Sequence, residues 1–288
     1  MSRAGNARAR SADAAPTGLP REFGYSQEDF RAIADLLEAR TGIHLPPHKD
    51  QLVYSRLAKR LRALGLDSFA AYRAVLGGPE GGPELLRMVN ALTTNLTRFF
   101  REPHHFHHLG RHLAQLAASR SSRRLRLWSA GCSTGPEAWS MALTLDSVLT
   151  ERGRWDAKIL ATDIDTDVLA VARQGRYDAE EVEDVPSQFR QHLQPTAEGE
   201  FDLSPQIKSL ITFKPLNLIG PWPFSGPFDA IFCRNVAIYF TQDTQTRLFS
   251  RFGDVLAPDG FLYIGHSETL TQLSDRFELV GQTIYRPR

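Results

Sequence analysis

The six residues Ala130-Gly131-Cys132-Ser133-Thr134-Gly135 constrain this chain more than any other part of it. They join a mostly apolar run, 125–128, to a stretch of helical periodicity, 137–150. A glycine-rich turn between strand and helix lets a ligand approach the backbone, because glycine lacks a Cβ and tolerates φ > 0. About thirty residues later a second strand candidate, 159–162, ends in Asp163-Ile164-Asp165. An acid at the tip of the second strand of such a unit is where a ribose is gripped through its hydroxyls. No Gly-Lys-Ser/Thr phosphate loop is present, and the glycine spacing falls short of the full dinucleotide fingerprint. The expected ligand is a nucleoside without a phosphate tail. S-adenosylmethionine fits that description.

With 288 residues, 42% of them hydrophobic, the chain can bury one large domain and a smaller one. A net charge of +1 argues against a general nucleic-acid binder. Cys132 and Cys233 lack C-x-x-C spacing, so a reducing compartment is the simple reading, with a bridge left open. No apolar run approaches the roughly 20 residues that span a bilayer, and we expect a cytoplasmic protein without membrane insertion. Residues 1–20 are rich in Ala, Arg and Ser and read as a disordered tail; an organelle transit peptide is the alternative.

Residues 21–92 read as a small helical domain. Ser26 and Asp29 form a capping box, Phe30, Ile33, Ala34 and Leu37 follow at helical spacing, and Gly42 stops the helix. A second helix, 48–64, carries the apolar arc Val53, Leu57, Leu61 and Leu64, with Lys49, Arg56 and Arg60 grouped on one side. Two short helices, 68–76 and 83–92, complete this part, and 93–118 is linker and helix. From 119 to 288 strands (124–130, 157–163, 210–214, 229–233, 260–265) alternate with helices (137–150, 166–174, 242–256). The last helix is expected to stop at Pro258-Asp259-Gly260, and 277–280 with 282–285 form a final strand pair. Such alternation implies an α/β fold, a mostly parallel sheet with helices on both faces. The segment 176–209 is too long for a plain connection and must hold its own structure; Gly199-Glu200-Phe201-Asp202-Leu203 suggests a hairpin.

Several strings resemble the CheR family of chemotaxis receptor methyltransferases. They are Thr93-Thr94-Asn95-Leu96-Thr97-Arg98-Phe99-Phe100-Arg101-Glu102 with His104-His105-Phe106; Gly131 to Glu137; Ala161-Thr162-Asp163-Ile164-Asp165; and Leu216-Asn217-Leu218. The longest runs from Phe228 through Cys233-Arg234-Asn235-Val236 to Tyr239-Phe240, and Gly265-His266-Ser267-Glu268 and Gly281 to Tyr285 close the series. The resemblance spans about residues 25 to 285. It implies a Rossmann-like class I methyltransferase domain with an antiparallel C-terminal strand, preceded by an all-α domain. One departure stands out: the family has Gly-Glu-Glu-Pro-Tyr-Ser where this chain has Gly135-Pro136-Glu137-Ala138-Trp139-Ser140. The first acid is lost and Glu137 remains.

The implied reaction moves a methyl group from S-adenosylmethionine to receptor glutamates, leaving S-adenosylhomocysteine. A glutamate with an ordinary pKa near 4.3 is already ionised at neutral pH, so no general base is required. The protein must align donor and acceptor, worth roughly 7–11 kcal/mol when the geometry is near-attack. By resemblance, Asn95, Thr97, Arg101, Gly131, Glu137, Asp163, Asn217, Leu218, Arg234 and Asn235 line the cofactor site; Arg234 and Tyr239 lie past the end of the fourth strand, where ligands sit in such sheets, and with Arg101 are expected to orient the acceptor carboxylate. Chemically, Asp163 can accept from ribose hydroxyls, Asn217 can pair with an adenine edge, and Arg101 suits a carboxylate, either that of the cofactor's methionine portion or that of the acceptor glutamate. Plainer readings stand beside these. Asp163 is also a helix-cap type, although Asp165 is better placed for that; Asn95 and Thr97 are ordinary turn residues; Arg234 could be a surface ion pair.

The histidines 104, 105, 107, 108 and 112 suggest a metal, but no companion carboxylate or cysteine motif accompanies them, and no metal is expected. Lys49, Arg56 and Arg60 are either a solvated face or the surface that docks the acidic cytoplasmic coiled coil of methyl-accepting receptors. The insert resembles the β subdomain with which some family members tether a receptor peptide. A monomer is expected. Three rival readings remain: a serine hydrolase using the Gly-x-Ser-x-Gly turn with Asp229 or Asp259 and His266, a non-catalytic scaffold, and a nucleic-acid methyltransferase, whose Asn-Pro-Pro-Tyr type motif is absent.

Overall fold

The computed structural model describes residues 21–79, 81–270 and 274–288. The expected tail, 1–20, lies outside these. Helices α1 (Gln27–Thr41), α2 (Asp50–Leu64), α3 (Phe69–Gly77) and α4 (Gly81–Leu92) form the N-terminal bundle. Ser26 caps α1 reciprocally with Asp29, at 2.9 and 3.1 Å, and Gly42 ends it in the left-handed region at φ +78. Val53, Leu57 and Leu61 of α2 are buried with Ile33, Leu37, Phe69 and Tyr72 in one core. Leu64, expected on that arc, is the last residue of α2 and is exposed, while Leu61 before it is buried.

Helix α5 (Pro103–Ser119) leads into β1 (Arg124–Ala130), α6 (Pro136–Val148), β2 (Asp156–Asp163) and α7 (Thr166–Gln174). Strands β3 (Arg176–Tyr177), β4 (Leu193–Pro195) and β5 (Phe201–Leu203) then form a separate three-stranded sheet in the order β3-β5-β4. The short α8 (Pro205–Lys208) precedes β6 (Ile211–Pro215), β7 (Phe228–Cys233), α9 (Gln242–Val255), β8 (Leu256–Ile264), β9 (Phe277–Gly281) and β10 (Ile284–Pro287). The main sheet has the order β6-β2-β1-β7-β8-β10-β9, parallel except where β10 runs against β8 and β9.

Alternation along the strands divides the core. Leu125 and Leu127 of β1, with Ala230 and Phe232 of β7, join the cluster of α5, α6 and α7. Trp128 and Ala130, with Ile231 and Cys233, join that of α9. A period of two therefore covers both faces with helices.

Helix α9 ends at Val255, within one residue of the expected bound, but β8 begins at once at Leu256 and not at 260, so Pro258-Asp259-Gly260 sits inside the strand instead of between helix and strand. The ladder breaks there: Phe228 faces Leu256 and Ala230 faces Phe261, so the extra residues are taken up as an irregularity. A Cβ on Gly260 would lie 2.9 Å from the Phe228 carbonyl oxygen. Glycine permits that approach.

Candidate active site

A cleft of about 330 Å3 opens across the carboxyl ends of β1, β2 and β7, the edge where open α/β sheets receive ligands. It brings together Asn95, Thr97, Arg101, Gly131, Glu137, Asp163, Asn217, Leu218, Arg234, Asn235 and Tyr239, and Lys49 reaches its rim. Arg56 and Arg60 are not part of it. The bundle supplies one wall. His44 N donates to Tyr239 O at 2.8 Å and Ile43 pairs with Phe240, which ties the end of α1 to the loop after β7.

The glycine turn folds back on β2. Gly131 N and Cys132 N donate to Thr162 O at 2.8 and 2.9 Å. Gly131 has φ +91, and a Cβ there would meet Val236 Cγ2 at 2.3 Å. The two acids after β2 divide their work. Asp165 caps α7, its Oδ1 accepting from Asp167 N and Val168 N, while its Oδ2 accepts from Thr93 Oγ1 and Asn95 Nδ2 at 2.7 and 2.8 Å. Asp163 accepts Ser133 N at Oδ2 (2.8 Å) and Asp165 N at Oδ1 (3.0 Å), leaving each oxygen further acceptor capacity in the cleft. Burial pushes its carboxyl above the usual aspartate range, against those hydrogen bonds.

Arg234 is buried, not a surface ion pair, with its side chain 2% exposed. It pairs with Glu137 at 3.3 Å and Glu102 at 3.4 Å, and donates to Arg101 O at 2.5 Å. Ser129 Oγ donates to the other oxygen of Glu137 at 2.7 Å. Burial pushes Glu137 up, opposed by Arg234 and Ser129. Burial also acts upward on Glu102, but the Arg234 charge and a hydrogen bond from His266 outweigh it and hold Glu102 low. The Arg234 charge is thus matched inside the protein, whereas Arg101 makes a hydrogen bond to Leu96 O at 3.3 Å and no ion pair among the described residues. Pro136 occupies the first turn of α6, where a proline needs no amide partner. The retained acid, Glu137, is the one that faces the cleft.

Two functional residues lie in strings that carry the resemblance but had no role read from them. Glu102 holds Arg234. Glu268 is buried and gathers three backbone amides: Asn235 N (3.0 Å) and Gly265 N (2.6 Å) at Oε2, and Ile238 N (3.3 Å) at Oε1. It fixes the loop that carries Asn235 and Tyr239. Burial pushes Glu268 up, against these hydrogen bonds. Phe100, Glu102, Ser133 and Asn235 all have φ between +49 and +59. Non-glycine residues in that region cost of order 1–3 kcal/mol each and persist where the surroundings hold them. These four sit in or beside the cleft.

Asn217 is engaged within the protein: its Nδ2 donates to Arg40 O at 2.6 Å, and its Oδ1 accepts Ile219 N at 3.1 Å. In the basic arc, Arg60 forks onto Glu84 at 2.9 and 2.7 Å, and Arg56 donates to Leu92 O, Thr93 O and Thr94 Oγ1. Both heads thereby brace the bundle and the segment entering the site; Lys49 stays exposed. Contrary to expectation, the histidines do have a companion carboxylate: donor atoms of Glu102, His104 and His105 lie within 4.8 Å of one another. His105 is fully buried; its Nε2 donates to Gln282 O at 3.1 Å and lies 3.0 Å from Thr283 Oγ1. Burial and then the Arg234 charge push it down to about 3, so it is neutral at physiological pH. The hydrolase constellation is not assembled. Ser133 Oγ donates to Asn95 O, Asp229 and Asp259 both pair with Arg120, and His266 bonds Glu102. Cys132 and Cys233 are free and buried.

Family models place this geometry. The CheR methyltransferase SAM-binding domain matches residues 95–286, and the CheR all-alpha domain matches 28–93. The chain belongs to the CheR methyltransferase family. It is similar to the chemotaxis protein methyltransferase of Escherichia coli (strain K12), 45% identical over 93% of both chains. Chemotaxis protein methyltransferase 2 of Pseudomonas aeruginosa is also 45% identical, over 94% of this chain and 99% of that one. The Borreliella burgdorferi chemotaxis protein methyltransferase is 34% identical over 86% and 90%. The chain is a methyltransferase that uses S-adenosylmethionine. The cleft suits that cofactor: a strand-tip carboxylate with spare acceptor capacity, a turn whose Gly131 offers bare backbone to the ligand, and about 330 Å3 of space.

Proposed function

We propose that this CheR chain esterifies glutamate side chains on the cytoplasmic coiled coil of chemotaxis receptors, acting in the cytoplasm as a monomer and without a metal. Bound S-adenosylmethionine supplies an electrophilic methyl group. The chain's own part is alignment. Asp163 accepts from the ribose hydroxyls, and Gly131 keeps the approach open. Asn95, Thr97, Asn217, Leu218 and Asn235 shape the remaining walls. Glu137 and Glu102 hold Arg234 so that its guanidinium stays in the cleft wall. Arg101, whose charge has no carboxylate partner among the described residues, steers the acceptor carboxylate, with Tyr239 in the wall of the same cleft. An ionised acceptor needs no base, and an acceptor held too tightly would lose nucleophilicity. Among the described residues no helix is long and apolar enough to cross a membrane, which suits an enzyme that meets its receptor from the cytoplasm.

The observation that carries this reading is the convergence on one cleft of a strand-tip acid and an arginine free of carboxylates. Incubation with methyl-labelled S-adenosylmethionine and receptor-bearing membranes, followed by alkali, tests it. Glutamyl methyl esters release volatile labelled methanol. Label that survives alkali would refute it.

A further inference from the structure

Two large aliphatic side chains stand in solvent at the cleft mouth. Leu96 is 83% exposed and Ile238 43% exposed, and both line the cleft. A lone exposed aliphatic needs no explanation. These two are different because their backbones are pinned. Beside Leu96, the Asn95 backbone carbonyl accepts Ser133 Oγ at 2.8 Å and the Asn95 side chain donates through Nδ2 to Asp165, while the backbone carbonyl of Leu96 itself accepts Arg101 at 3.3 Å. Ile238 N is held by Glu268 at 3.3 Å, in a 3-10 turn of residues Ala237–Tyr239. Pinned contact groups lose little further freedom on binding. The same mouth carries Arg101 and Lys49, which have no ion-pair partner among the described residues and complement an acidic surface.

We propose that Leu96 and Ile238 determine acceptor specificity by gripping aliphatic side chains on the receptor helix, three or four residues to either side of the acceptor glutamate. Positions at that spacing share one helix face, so a glutamate entering the cleft brings them to the rim. A helix with polar neighbours at those positions is a poorer substrate even when its glutamate is accessible. The inference rests on the reading of the chain as a receptor glutamate methyltransferase.

The test measures initial rates of alkali-labile methylation with wild type, L96S and I238S, on receptor-bearing membranes, with S-adenosylhomocysteine binding by calorimetry in parallel. Each substitution should raise the receptor KM about tenfold, equivalent to 1.4 kcal/mol, with kcat and S-adenosylhomocysteine affinity within about twofold of wild type. Receptors whose flanking aliphatics are changed to serine should lose a similar factor with wild type and little with the L96S/I238S double variant. An unchanged receptor KM, or equal losses for wild type and double variant on the altered receptors, overturns the inference while leaving the glutamate reading intact. Wild type that forms no glutamyl ester at all sinks both.

Discussion

Glu268→Gln isolates the charge of the carboxylate that fixes the loop after β7. The side chain keeps its size, so one oxygen can still accept from Asn235 N and Gly265 N, now at 3.0 and 2.6 Å. The other oxygen becomes an NH2 group facing Ile238 N, an arrangement of two donors. A lost charge-assisted hydrogen bond costs about 1.5–3 kcal/mol, and weakening two others costs about 1 kcal/mol each. Gln also removes the cost of burying a charge, the largest influence on this group, which offsets part of the loss. The net expectation is about 2 kcal/mol of destabilisation in urea unfolding. The loop also carries Asn235 and Tyr239, so S-adenosylhomocysteine affinity should fall about tenfold, equivalent to 1.4 kcal/mol. An E268Q protein with wild-type unfolding midpoint and wild-type calorimetry would refute the assignment of Glu268 as the anchor of this loop.

Gly131→Ala would place a Cβ 2.3 Å from Val236 Cγ2 at φ +91, and should cut S-adenosylhomocysteine affinity by at least about tenfold; pairing it with Val236→Ala should recover part of that, because the clash goes and the backbone strain stays. Burial raises the Asp163 carboxyl, and its ionised form is the better acceptor for hydroxyls. Affinity for S-adenosylhomocysteine should therefore be full above that raised pKa and fall as pH drops through it, at higher pH than an ordinary aspartate would give. Asp163→Asn should bind weakly with a flat profile; a wild-type profile already flat down to pH ~4 would count against the role of Asp163. Arg60→Ala leaves the buried Glu84 with Tyr72 and Arg87, and should cost about 3 kcal/mol in urea unfolding, much of it restored by adding Glu84→Gln. A loss below about 1 kcal/mol would mark Arg60 as an ordinary surface residue.

Those arginines also set the terms for any docking experiment. Charge reversal at Arg56 or Arg60 perturbs the bundle before it perturbs a partner, since Arg56 holds the end of α4 and Arg60 neutralises Glu84. Lys49 is the cleaner probe of electrostatic docking, being exposed at the cleft rim.

What the amino-acid sequence determined by itself was everything that depends on neighbours a few residues apart. The Ser26–Asp29 box, the left-handed Gly42 and the cap at Asp165 are local, and spacing alone encodes them. The glycine turn and the acid at the tip of β2 were legible for the same reason: each is the end of a local element, and the parallel βαβ unit brings such ends together. Tertiary structure decided the partners of charged side chains. Arg234 meets Glu137 across 97 positions, and Arg56 reaches Leu92 across 36. Glu268 meets amides 30 and 33 residues away. A buried charge must be matched wherever the fold puts it, and no spacing rule names the residue that will be there. The irregularity at Pro258-Asp259-Gly260 belongs with these, since whether it ends a helix or bends a strand depends on the carbonyls of β7 lying against it.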